Sequence, residues 1–272
     1  MDVKVHSNGA TRSRVRLRTI ALPTEHGGWG FVFEPILLGL LVAPSAGGLA
    51  LAVATLAIFL IRQPLKVIMV DRRRGLQTAR SHAAKRFLLF YLAVAALAMA
   101  MALRTSDLNF LRPLLLAAPF GLIFLFYDLT RPGRALTTEI AAPVVLASLA
   151  AAIPLADGWA FAPALALWAA MCARAIPSVL YVRARLRLDR EKATSLIVPI
   201  VAHAIALLLV VLLAGQDLLP QMAIWAFLIL LLRTVIFLAP WRPMVSVKVI
   251  GFTELGLGIL LVLMIALPYQ LP

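Results

Sequence analysis

Apolar positions in this chain come in long unbroken runs, parted by short clusters of charge, glycine and proline. Nine such runs predict helices over 28–43, 46–62, 87–103, 111–127, 139–155, 159–176, 194–214, 218–238 and 249–268. A run of about 17 or more apolar residues reaches across the ~30 Å of hydrocarbon in a bilayer. The runs do not alternate between apolar and polar positions, which excludes a transmembrane β-barrel. The first run is short and contains Glu34-Pro35, and the fourth carries Pro113 and Pro119. The expected fold is all-α: a polytopic membrane helical bundle of about nine transmembrane helices.

Composition agrees. Of the 272 residues, 62% are hydrophobic and 14% charged, and mean hydropathy is +0.96. A soluble domain carries about 25% charged residues. That excludes a soluble enzyme, a secreted disulfide scaffold and a disordered chain. The net charge of +14 would suggest nucleic acid in a soluble protein, but no soluble domain exists here to present a groove-reading element. The charge instead reports topology. With the N-terminus inside, the inner segments carry 22 of the 26 basic residues, Arg104 and Arg112 lie at outer connections, and Arg174 and Arg233 fall within spans. This asymmetry places the N-terminus in the cytoplasm. Residues 1–27 read as a basic cytoplasmic tail leading into the first helix, and 28–272 as a single transmembrane domain. Cys172 is the one cysteine and so has no internal disulfide partner.

Ionisable groups inside a bilayer are expensive and require a partner or a polar cavity. Glu34, Glu254, Arg174 and Arg233 are the candidates. Gly251 and Gly258 share the helical face of Glu254, and Gly27 and Gly30 that of Glu34. Small residues let helices approach closely, so both carboxylates should face protein. They could act as catalytic carboxylates or pair with arginine across the bundle, Arg233 being a natural ion-pair partner. His26 opens the first span among glycines, as an interfacial anchor or a proton carrier. His203 reads as a satisfied core residue.

Two cationic ladders stand at equivalent places. From the end of the second run onward, Arg62, Lys66, Met69 and Arg73 fall within about 60° of one another on a helix. From the end of the sixth, Arg174, Ser178, Tyr181 and Arg185 share one face. Guanidinium groups suit carboxylate or phosphate through paired hydrogen bonds. Converging ladders would form a cytoplasm-facing cationic cavity, with Arg62, Lys66, Arg174, Ser178, Tyr181 and Arg185 binding an anionic, lipid-like ligand. The scarcity of buried carboxylates argues against a magnesium site, and no metal ligands are expected.

The run Pro23-Thr24-Glu25-His26-Gly27-Gly28-Trp29-Gly30 resembles the opening of the YwiC-like family of bacterial membrane proteins. The run Ile250-Gly251-Phe252-Thr253-Glu254-Leu255 is similar to that family's closing segment. This resemblance implies a multi-pass protein of the bacterial cytoplasmic membrane. In topology, nine helices with long inner connections after the second and sixth are similar to the UbiA-type membrane prenyltransferases. That similarity implies a transferase whose aspartate motifs hold magnesium and a prenyl diphosphate. Here the acidic places of those motifs fall on Pro64, Val67, Ser178 and Arg185, so direct arginine contacts would replace the metal. The expectation is a membrane protein binding an anionic amphiphile, with a UbiA-like transferase lacking the aspartate motifs as one form of it. A lipid or small-anion carrier and a structural membrane protein are the alternatives.

Overall fold

The computed structural model describes residues 17–22, 27–75, 79–130 and 136–271. The basic tail before residue 17, and the Pro23–His26 stretch with its candidate His26, lie outside the described residues.

The described residues form helices α1 (Leu17–Ala21), α2 (Gly27–Val42), α3 (Ala46–Arg73), α4 (Ala79–Thr105), α5 (Leu111–Thr130), α6 (Leu136–Ala147), α7 (Leu149–Ala156), α8 (Phe161–Leu188), α9 (Ile197–Gly215), α10 (Met222–Leu238) and α11 (Val247–Ala266). Each of the nine apolar runs coincides with a helical segment. Seven segments are long and apolar enough to cross a membrane, and two shorter apolar helices accompany them, Gly28–Val42 and Met222–Leu238. The fold is an all-α polytopic membrane bundle.

Three helices outrun their apolar tracts. α3 continues from the tract edge at 62 to Arg73, α8 continues to Leu188, and α4 begins at Ala79 rather than 87. At 1.5 Å per residue, 28 residues span about 42 Å, more than the hydrocarbon. The polar last turns of α3 and α8 therefore stand beyond it. Pro64 and Pro177 lie inside these helices without ending them, so the cationic ladders are helical faces, not loops. The fifth run departs from expectation in the other direction. It is split at Ser148, whose hydroxyl donates to the Val145 carbonyl at 2.7 Å.

α2 and α7 form the middle of the bundle. Every residue of α7 is buried, and Ala150, Ala151 and Ala152 let neighbours approach closely. Around α7 pack α2, α3, α5 and α8, and α2 also packs on α6 and α11. Over its last three turns, α2 exposes Phe33, Leu37 and Leu41 along one stripe, which turns Glu34 inward. The outer helices show the reverse of a soluble protein. Leu89, Phe90 and Leu97 of α4, Leu115 and Leu122 of α5, and Ile197, Ile205 and Leu208 of α9 all point outward. Apolar surface on this scale fits hydrocarbon, not water.

The α2–α7 contact is set by glycine. A Cβ at Gly39 would lie 2.8 Å from the Cβ of Ile153, and one at Gly48 of α3 would lie 2.7 Å from its Cγ2. Gly39→Ala should force α2 and α7 apart and cost about 1–3 kcal/mol, the usual range for overpacking. Thermal unfolding of the detergent-extracted protein checks this. Ile153→Gly, which removes the Cβ that the new methyl would meet, should make the losses in the double variant less than additive, because the two sites share one contact.

Candidate functional site

Four helices converge on one buried group of charges. Glu34 comes from the middle of α2, Arg174 from the middle of α8, Arg233 from the C-terminal half of α10, and Glu254 from two turns inside α11. Arg174 Nη2 lies 3.5 Å from Glu34 Oε1, and its Nη1 lies 3.5 Å from Glu254 Oε2. Arg233 Nη2 donates to the same Glu254 Oε2 at 3.0 Å. Arg174 also donates to the Glu254 backbone carbonyl at 2.8 Å and to the Ser178 hydroxyl. The Arg233 guanidinium lies over the Tyr181 ring, 3.8 Å from its centroid, a cation–π contact that shields one face.

The cluster is largely buried, and its formal charges balance. Side-chain exposure is 2% for Arg174, 6% for Glu34, 5% for Arg233 and 14% for Glu254. Two guanidinium groups face two carboxylates. Such burial is tolerated only because each charge is paired, since an isolated ion in the interior is far more costly. The hydrogen bonding is incomplete, however. Nε and Nη1 of Arg233 and Nε of Arg174 are buried with no hydrogen-bond partner among the described residues. Unmet buried donors are uncommon, and each calls for an explanation.

Glycine makes room for the carboxylate. A Cβ on Gly258 of α11 would fall 1.9 Å from Glu34 Oε1, and one on Gly30 would fall 3.3 Å from it. Gly258 therefore lets Glu34 cross between α2 and α11. Gly251 does not share this role, because a Cβ there meets nothing within 4 Å. Its side of α11 is open, and of the helix's first eight residues only Ile250 is buried.

The two ladders are not brought together. Arg62 lies 3.0 Å and Lys66 3.8 Å from Asp128 Oδ1 at the end of α5. The Arg62 guanidinium also lies over the Phe124 ring. Arg185 is fully buried; its Nε donates to both carboxylate oxygens of Asp189, its Nη1 to the Phe237 carbonyl at 2.7 Å, and its Nη2 to the Pro243 carbonyl. Arg242 adds a second cation to Asp189 at 3.2 Å. Helices α3 and α8 both pack on α2 and α7 and make no substantial contact with each other. The first ladder thus ties α3 to α5, and the last rung of the second ties α8 to the α10–α11 connection. Asp128, Asp189 and the carbonyls of Phe237 and Pro243 were not legible as partners in the sequence; only their spacing from an arginine within one helix, as for Arg185 and Asp189, is visible there.

His203 is a core residue, as expected. Its Nδ1 pairs with the Pro199 carbonyl at 2.8 Å, and the Thr234 hydroxyl lies 3.3 Å from Nε2. Among the described residues, no three His, Cys, Asp or Glu side chains are grouped closely enough to hold a metal ion.

The fold and this cluster define a multi-pass integral membrane protein with paired charges in its interior. Residues 22–154 match the family model described as YwiC-like protein. The matched stretch contains α2 to α6 and most of α7, and with them Glu34; Arg174, Arg233 and Glu254 lie beyond it. Comparison with curated proteins and with solved structures found no match.

Removing one member of a buried ion pair strands the other, at a cost of about 3–5 kcal/mol. Arg174→Met should therefore strongly lower thermal stability. Glu139→Gln, which breaks the partly exposed pair of Glu139 with Arg183 at 2.7 Å, should cost about 1 kcal/mol or less. Unfolding curves of the two variants in one detergent make the comparison.

Proposed function

We propose that this protein binds the headgroup of an anionic amphiphile, a carboxylate or phosphate, at the Arg174–Arg233 cluster. The supporting observation is the set of three buried guanidinium nitrogens, Nε of Arg174 and Nε and Nη1 of Arg233, without hydrogen-bond partners among the described residues. Guanidinium donors are matched to carboxylate and phosphate oxygens. Ser178 and Tyr181 stand beside them as neutral polar groups. The ligand would arrive laterally, along the open first two turns of α11, from the leaflet at the cytoplasmic side. That direction rests on the basic asymmetry of the loops and the N-inside orientation it implies. A bacterial cytoplasmic membrane is the setting this reading assumes.

In this reading Arg174 and Arg233 hold the headgroup, and Glu34 and Glu254 keep the site neutral until it arrives. Arg62, Lys66 and Arg185 stay outside the site, because Asp128, Asp189 and backbone carbonyls occupy them. Group transfer of UbiA type is not part of the proposal. Ser178 and Arg185, at the acidic places of its second motif, are already engaged within this chain.

A second reading has one observation in its favour. The exact balance of charge, with Glu34 seated against Gly258, is also what a lock between α2, α8, α10 and α11 requires. Hexadecyl phosphate titrated into the extracted protein separates the two. Amphiphile binding predicts saturable uptake, weakened about tenfold or more by Arg233→Met, since charge-assisted hydrogen bonds contribute about 1.5–3 kcal/mol. Arg112→Gln, at the outer end, should change it little. Absence of saturable uptake, or equal affinity in Arg233→Met, would leave only the lock.

A further inference from the structure

The formal charges of the cluster already balance before any ligand arrives, two guanidinium groups against two carboxylates. An anion seated on the free donors of Arg233 and Arg174 adds one negative charge to a site that already holds two carboxylates. In a low-dielectric interior an uncompensated charge is strongly disfavoured. We infer that this protein binds its anion together with one proton, and that Glu254 is the group that receives it. The inference rests on the anion-binding reading above.

The geometry selects Glu254 among the ionisable groups that face it. From α2 comes Glu34, from α8 Arg174 and Tyr181, and from α10 Arg233; His203 of α9 stands behind, against Thr234 of α10. Both arginines are needed by the anion and are already charged. Tyr181 carries its proton in the neutral form. His203 gives one nitrogen to the Pro199 carbonyl, and a positive charge there would add a third cation to the interior. Glu34 is pinned between Gly30 and Gly258 and has no contact with Arg233.

Glu254 differs on each count. One of its oxygens, Oε2, serves both arginines, so an arriving anion competes with it directly. Its side chain is 14% exposed, the most accessible of the four. It lies about 10 Å from the start of α11, where the surrounding turns are open. Protonated Glu254 would keep its place and turn from acceptor to hydrogen-bond donor, while the anion takes over the guanidinium groups. No bond other than the O–H bond is formed, and the proton comes from the aqueous side.

Hexadecanesulfonate is a suitable probe because its headgroup does not titrate near neutral pH, so any proton taken up belongs to the protein. Calorimetric titration in two buffers of different protonation enthalpy counts that proton. The wild type should take up about one proton per sulfonate bound, and its affinity should fall as pH rises, by up to tenfold per unit. Glu254→Gln should bind sulfonate with no proton uptake and with an affinity flat in pH. Sulfonate binding without proton uptake in the wild type would overturn this inference and leave the binding site standing. Uptake that persists in Glu254→Gln would overturn the assignment to Glu254. Failure of both hexadecanesulfonate and hexadecyl phosphate to bind would overturn the anion site itself. Should Glu254→Gln not fold, the wild-type proton count still decides the linkage.

Discussion

Arg174 is the residue around which this bundle is arranged. Its guanidinium reaches two carboxylates on two other helices, a helix carbonyl on one of them, and a hydroxyl one turn along its own. A charge buried to 2% exposure cannot be left uncompensated, so α2 and α11 are bound to α8 wherever Arg174 goes. Arg233 then follows, because Glu254 is shared between the two arginines. Four helices are held in one register by four side chains, and the glycines at 30 and 258 exist at the two points where a methyl group would push Glu34 away.

The rest of the architecture serves this centre. The all-buried, alanine-rich α7 lets α2 sit deep in the bundle, against Gly39 and Gly48. The outer helices α4, α5 and α9 present apolar surface to hydrocarbon. At the ends, smaller ion pairs fasten the periphery: Arg62 and Lys66 with Asp128, Arg183 with Glu139, Arg185 and Arg242 with Asp189. These pairs are more exposed or braced by backbone carbonyls, and none leaves the unmet donors seen at Arg233. A site built purely for stability would be expected to satisfy its own donors. The spare N–H groups on Arg233 and Arg174 are what separate this cluster from its neighbours.

Much of this was legible in the sequence, and the boundary has physical causes. Apolar runs longer than a bilayer is thick can have few fates, so all nine helical segments were readable, with the largest errors of length where polar turns extend α3, α4 and α8 past their tracts. The four intramembrane charges stood out because such groups are costly. Which carboxylate meets which guanidinium depends on helices far apart in the chain, and nothing local encodes that. The two ladders looked equivalent because each has the right spacing on its own helix. Spacing reports which residues share a face but not what that face meets. Gly258 was readable as a close-approach residue, yet its counterpart, the Glu34 carboxylate, was not; Gly251 carried the same signal and meets open space. Ser148 gave no local sign of a helix break, since serine is tolerated in helices.

The central claim is that Arg233 and Glu254 belong to one buried, charge-balanced unit. A double-mutant cycle on this pair tests it most directly, by unfolding Arg233→Met, Glu254→Gln and the double variant under one condition. Each single change leaves the interior with a net charge, whereas the double change restores neutrality around Arg174 and Glu34. The account predicts a loss in the double variant that is smaller than the sum of the two single losses, by a coupling of about 1–3 kcal/mol. Losses that simply add would contradict it.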